Sequence, residues 1–291
     1  MSDRVKVSKF STGTVQIRPE HVGPTRLPAL VWLLTSQLWT KPRPINVYLI
    51  RHPKGTLVFD TGQDRMSVTD HQYFPMGLIG WLYKRLARFS ITEGETLENG
   101  LLRLGVASGS VEFVILSHLH QDHIGGLRSF AGKRAKIIVD SAELKAAQQV
   151  GAVFDGYLKE HIFLPDVSFT LPDFRLLPPG VIPGFTFGWD IFDDGSVVLL
   201  PLPGHTEGSV GLLINYGQPK PVLLVGDLTY DANLLKAQIV PGVGNKRVLH
   251  KTSSSVLELF ASSPDLTIAA AHDPNVLLPP NEGESNHESR R

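Results

Sequence analysis

The chain has 291 residues, 42% of them apolar, enough to bury a sizeable core. Its 28 Lys and Arg balance its 28 Asp and Glu, and no basic run breaks the balance, so no electrostatic footprint marks a nucleic-acid or anionic-membrane partner. The absence of cysteine excludes disulfides, iron–sulfur clusters, thiolate zinc sites and a cysteine nucleophile, so any metal must be held by nitrogen and oxygen.

The N-terminus is polar and has no signal-peptide core. The longest apolar runs, 27–34 and 197–202, are too short to span a bilayer, so a cytoplasmic protein is expected. Residues 1–45 read as an N-terminal loop. Residues 46–51 and 56–60 read as a hairpin around His52-Pro-Lys-Gly55. Helical spacing follows over 76–89, with Ile79, Leu82, Tyr83, Leu86 and Phe89 on one face, and again over 96–104. Branched and apolar content predicts strands at 111–117 and 136–139, and a helix follows at 141–150. Residues 151–188, rich in Pro, Phe and Asp, form a surface excursion of the kind that shapes pockets. Strands at 197–202, 211–215, 222–225 and 267–271, with a helix at 253–260, repeat the pattern. The tail 278–291 reads as frayed. Two such halves suggest a single α+β domain, 1–291 with its core over about 46–273, in which two sheets pack face to face with helices outside.

The strand at 111–117 runs directly into His118-Leu-His120-Gln-Asp122-His123-Ile-Gly-Gly126. Residues two apart at a strand end point the same way, so His118 and His120 can converge on one ion. The chain then turns, and Asp122 and His123 point towards a second position, with Gly125 and Gly126 expected to let the backbone reverse without a Cβ penalty. Packing offers no reason to crowd three imidazoles and a carboxylate within six residues. Such ligands suit a borderline divalent ion, zinc first, with cobalt, manganese or iron(II) as substitutes. His205, Asp227 and His272 each stand at the C-terminal end of a predicted strand beside Gly, Ala or Pro, placed to complete the shells.

The pattern His118-x-His120-x-Asp122-His123 resembles the signature of the metallo-β-lactamase superfamily, whose fold is an αβ/βα sandwich of two mixed sheets flanked by helices. His205, Asp227 and His272 fall in the order and contexts that superfamily uses. The resemblance implies two ions: His118, His120 and His205 on one, Asp122, His123 and His272 on the other, and Asp227 bridging. It makes Asp60, in Phe59-Asp-Thr-Gly62, a support for the site loops rather than a ligand. Tyr230, three residues after Asp227, and the run 46–62 resemble the N-acyl homoserine lactonases. That likeness implies quorum-quenching lactone hydrolysis by a hydroxide bridging the two metals, with Tyr230 donating to the oxyanion and Asp122 delivering the leaving-group proton. A broad-range lactonase or esterase, or a metal-dependent phosphotriesterase, is the alternative.

The partner expected is therefore a small lactone. An acyl chain would need an apolar groove, for which Leu30, Trp32, Leu33, Met76, Leu78, Trp81 and Phe154 are the candidates. The amphipathic helix over 76–89 also offers a face to a partner subunit, as in a homodimer. His21, His52, His71, His161, His250 and His287 have no ligand context and read as surface or local hydrogen-bonding residues, with His161 and His250 the two alternative candidates for lining the pocket.

Overall fold

Apolar runs long enough to be buried on both faces dominate the strands, and a computed structural model describing residues 5–280 shows what covers them. One sheet has seven strands: β1 (Lys6–Ile17), β2 (Arg43–His52), β3 (Gly55–Phe59), β4 (Ala87–Ser90), β5 (Phe113–Ile115), β6 (Lys136–Ile138) and β7 (Phe169–Thr170), in the order β4-β1-β2-β3-β5-β6-β7. The other has six: β8 (Arg175–Leu176), β9 (Phe187–Asp190), β10 (Val197–Pro201), β11 (Val210–Ile214), β12 (Val222–Gly226) and β13 (Thr267–Ala270), in the order β13-β12-β11-β10-β9-β8. Both sheets are mixed: β3, β5, β6 and β7 run parallel in one, as do β12 and β13 in the other, while the remaining pairs are antiparallel.

The two-residue period of each strand sorts its side chains between layers. Tyr48, Ile50, Leu57, Phe59 and Ile115 face Val197, Leu199, Leu212 and Leu224 in the seam between the sheets. Their neighbours Val47, Leu49, Val58 and Val114 point outwards, under helices Leu97–Arg103 and Ser141–Gln148. Val198, Leu200, Leu213 and Leu223 pack outwards against Leu249, Val256 and Leu259 of helix Lys246–Ser262. Among the described residues no helix is long and apolar enough to cross a membrane.

Three elements differ from the expectation. The N-terminal segment is not a loop: β1 pairs with β2 from Lys6↔Arg51 to Val15↔Arg43, with a register shift between Ser11 and Thr14. Its Ser, Thr and Lys content and that irregularity hide the period. The helix expected to reach residue 89 ends at Leu86, and Ala87–Ser90 instead pairs with the edge of β1. Spacing alone cannot register that long-range edge. The helix expected over 253–260 spans Lys246–Ser262, its polar first turns capped by the Asn245 side chain, which accepts from the Val248 amide. Only residues 278–280 of the expected frayed tail lie among the described residues.

Candidate metal centre

Strands β10, β12 and β13 run in the same direction, so their C-terminal ends share one edge with the end of β5 across the seam. Loops leaving those ends carry the ligand candidates. The sheets are tied there by a hydrogen bond from the Val210 amide to the Ser117 carbonyl, 2.9 Å. Gly226 (φ 53°) ends β12 so close to Ser117 that a Cβ would sit 2.8 Å from the serine Cβ. Only glycine satisfies both the backbone angle and the approach.

All seven sequence-predicted ligand candidates meet at this edge. His118, His120 and His205 form one group of facing donor atoms, and Asp122, His123 and His272 form another; a third, His118, His123 and Asp227, joins them. The His118 Nε2 and His205 Nε2 atoms each lie 3.1 Å from His120 Nδ1. Asp227 spans both groups: Oδ1 is 3.5 Å from His123 Nε2 and from His272 Nε2, and Oδ2 is 3.7 Å from His205 Nε2. Asp122 Oδ2 stands 3.4 Å from His272 Nε2.

The donor set fits divalent ions. Two nitrogen ligands at 2.0–2.1 Å from a tetrahedral ion lie about 3.3 Å apart, close to the spacing of the three imidazoles. His123 Nε2 and Asp227 Oδ1 are buried and lack any hydrogen-bond partner, an arrangement that costs energy unless something cationic binds them. Burial, with the neighbouring imidazoles, holds His118 and His205 well below the usual histidine range, so both present lone pairs at neutral pH. Burial alone would raise Asp227, but His272, His123 and His205 outweigh it and hold it ionised. Burial also opposes protonation of His123, yet Asp60 and Asp227 together pull its pKa upwards.

The supports are as specific as the ligands. Asp60 accepts from the Ser117 amide (2.7 Å), the Ser117 hydroxyl (2.9 Å) and His123 Nδ1 (2.8 Å), which orients that imidazole. Its φ of 60° is a backbone angle that non-glycine residues rarely adopt. The remaining ring nitrogens of His120 and His272 meet the carbonyls of Asp155 (2.9 Å) and Pro44 (3.0 Å). Gly125 and Gly126 do not serve the expected purpose. Both have ordinary negative φ. They are needed for close approach instead, since a Cβ on Gly125 would lie 2.1 Å from the Asp64 backbone nitrogen and one on Gly126 2.6 Å from the Thr61 carbonyl oxygen.

Sequence reasoning missed Glu143. Asp140 caps helix Ser141–Gln148, and Glu143, three residues on, has the position of a capping-box glutamate. It is fully buried and turns elsewhere: its carboxylate accepts from the Leu119 amide (3.1 Å), the Gly208 amide (3.0 Å) and the Tyr157 hydroxyl (3.2 Å). It thus clamps the loop of His118 and His120 to the loop of His205.

A cavity of about 1170 Å³ opens on the centre and reaches His120, Asp122, His205, Asp227, Tyr230 and His272. The Tyr230 ring is buried and stacks on His272, 5.6 Å between centroids and 14° between planes. Burial, then the Asp227 and Asp122 carboxylates, push its phenol well above the usual range, so it stays protonated. Of the groove candidates, Leu30, Trp32, Leu33 and Phe154 line this cavity. Met76, Leu78 and Trp81 do not line it: they are exposed, because helix Leu78–Leu86 turns Ile79, Leu82, Tyr83 and Leu86 inwards and leaves its opposite face outside. His161 stacks on Tyr73 and His250 lies on the helix Lys246–Ser262, neither reaching the cavity. His21, expected at the surface, lines it.

Two packed mixed sheets present an all-nitrogen-and-oxygen cluster of candidate metal ligands at one edge. The chain belongs to the metallo-beta-lactamase superfamily, whose family model matches residues 40–272. It is 33% identical over 189 residues to an N-acyl homoserine lactonase from a Bacillus species, spanning 64% of this chain and 64% of that protein's length. It is 27% identical over 241 residues to the N-acyl homoserine lactonase AttM of Rhizobium radiobacter, covering 80% of this chain and 82% of the relative. Its fold is similar (TM-score 0.70, 23% identity, 92% of this chain and 93% of the other) to an N-acyl homoserine lactone hydrolase solved with N-hexanoyl-L-homoserine at its catalytic metal centre.

Proposed function

We propose that this protein opens the lactone ring of N-acyl homoserine lactones at a centre of two divalent ions, zinc being the best match to the ligands. The observation that carries this reading is Tyr230. It is a protonated phenol stacked on His272 in the wall of a large cavity whose other lining residues are mainly aliphatic and aromatic. The names of the Bacillus and Rhizobium relatives support the same substrate. His118, His120 and His205 would hold one ion, Asp122, His123 and His272 the other, with Asp227 shared. Bound there, the ions supply Lewis acidity, which acidifies water and polarises a carbonyl.

The chain's own residues then do the rest. Tyr230 donates a hydrogen bond to the lactone carbonyl oxygen as negative charge gathers on it. As water adds to the lactone carbonyl carbon, Asp122, its side chain 19% exposed and on the cavity wall, is placed to take the proton that the water loses and pass it to the ring oxygen as the ring C–O bond breaks. Asp60 and Glu143 hold the ligand loops still, and the apolar wall takes the acyl chain. The product is the ring-opened N-acyl homoserine.

A pH-indicator assay across short- and long-chain acyl homoserine lactones, simple lactones and an aryl phosphotriester, with and without chelator, tests the reading. Chelator-sensitive turnover highest on acyl homoserine lactones is expected. Strong phosphotriester turnover beside no lactone turnover would overturn it.

A further inference from the structure

Gln121 stands between His120 and Asp122 in the chain, and the metal centre makes no use of it. It is only 6% exposed, and it lines the cavity that opens on the ligand cluster. A chain of hydrogen bonds fixes which end of its amide faces which way. The Asp64 backbone N–H, which can only donate, reaches Gln63 Oε1 at 2.9 Å, and the Tyr73 hydroxyl donates to the same oxygen at 3.1 Å. Gln63 Nε2 is therefore the end turned to Gln121, and it donates to Gln121 Oε1 at 3.3 Å. Gln63 is itself buried and takes no part in the cavity wall. Gln121 Nε2 is the atom left over. Among the described residues it has no hydrogen-bond partner, yet it is not one of the nitrogens closed off from solvent. An oriented N–H on a buried side chain in a cavity wall marks a place for an acceptor on the ligand.

The lactone-opening reading, on which this inference rests, says which acceptor it is. An N-acyl homoserine lactone carries three acceptor oxygens. Tyr230 donates to the lactone carbonyl and Asp122 passes its proton to the ring oxygen, so only the acyl carbonyl is left without a protein donor. We infer that Gln121 Nε2 donates a hydrogen bond to the acyl carbonyl oxygen of the substrate and so selects acylated lactones over alkyl ones. His120 and Asp122, its neighbours in the chain, line the same cavity, which sets the donor beside the reacting ring. One hydrogen bond to one oxygen makes no demand on where the substrate N–H points. A lactone without the acyl carbonyl displaces water from Gln121 and returns no acceptor, so the site discriminates against it. Gln63 acts only through Gln121 and is a positioning residue: held by Asp64 and Tyr73, it keeps the oxygen of Gln121 turned inwards and the N–H turned to the ligand.

The test compares kcat/KM for three substrates: N-hexanoyl homoserine lactone, its α-hexanoyloxy analogue, which keeps the acyl carbonyl and lacks the N–H, and an α-heptyl γ-lactone, which has neither. Gln121→Met keeps the length of the side chain and removes the donor. It should lower the two acyl substrates by about tenfold relative to the alkyl lactone. Gln63→Glu leaves the cavity wall untouched but offers Gln121 only an acceptor, so the Gln121 amide turns its N–H inwards and its oxygen to the ligand. The same selective loss is expected, which a merely structural role for Gln63 would not produce. Melting temperature and metal content are measured on each variant, and Gln63→Glu carries the test if Gln121→Met does not fold. Equal loss on all three substrates, or no change in their ratio, overturns the donor role while leaving lactone opening intact. A loss confined to the amide substrate overturns the acyl carbonyl as its partner. No wild-type turnover of any lactone overturns both readings.

Discussion

Replacing Glu143 by glutamine probes how the ligand loops are held. The Glu143 carboxylate accepts three hydrogen bonds, two from the backbone amides of Leu119 and Gly208 and one from Tyr157. In Glu143→Gln the amide oxygen can replace only one carboxylate oxygen, and the NH₂ group then faces a donor. One backbone N–H is left buried and unpaired, at about 1–3 kcal/mol, and the other bond loses its charge assistance. A total loss of about 2–4 kcal/mol in unfolding free energy follows, with no cavity contribution because the two side chains have the same shape. Leu119 lies between His118 and His120, and Gly208 lies three residues after His205, so the loosened geometry falls on one ligand triad. Removing such outer supports weakens metal binding by about 10- to 100-fold. Denaturant unfolding measures the first effect, and chelator competition against zinc measures the second. Binding of an ion by His118, His120 and His205 should weaken markedly, and binding of one by Asp122, His123 and His272 should change less. A Gln variant with unchanged stability and unchanged affinity for both ions would refute the clamp.

Tyr230→Phe should lower kcat on lactones by about 10- to 100-fold with metal content unchanged, as read by steady-state kinetics beside elemental analysis. Chelation should abolish ester hydrolysis, and zinc or cobalt added back should restore it, because the ligands contain no alternative nucleophile of the cysteine type. Gly125→Ala places a Cβ 2.1 Å from a backbone nitrogen that cannot move aside, so a loss of several kcal/mol in chemical denaturation is expected. Burial lowers the His21 pKa to about 4 in the folded chain, against the ordinary histidine value of about 6.5 when unfolded, so its contribution to stability is present above pH 6.5 and is lost as pH falls towards 4. The loss is at most about 3 kcal/mol, and His21→Phe should remove it. Urea unfolding at pH 7 and pH 4 would show the wild-type protein losing more stability on acidification than the variant, and equal losses would refute the assignment.

The gathering of His118, His120, Asp122 and His123 was legible because it is local: four candidate ligands within six residues follow one strand, and the short loop has little freedom to separate them. His205, Asp227 and His272 were legible by their place at strand ends, and Asp60 by its motif. What the sequence could not decide was anything set by a meeting of distant segments. The strand at Lys6–Ile17 takes its conformation from pairing with β2, and Ala87–Ser90 leaves its helical spacing because β1 offers it an edge. Glu143 reads as a helix cap until the loops at Leu119 and Gly208 come within reach of it. His21 and Trp32 read as a surface histidine and a groove aromatic, and only the folded chain shows both with buried, unpaired nitrogens. Composition and short-range pattern thus determined the chemistry available to this chain: imidazole and carboxylate, with no thiol. The packing of two sheets decided which of those groups share an edge, since that depends on strand direction and register, quantities that no local window of sequence contains.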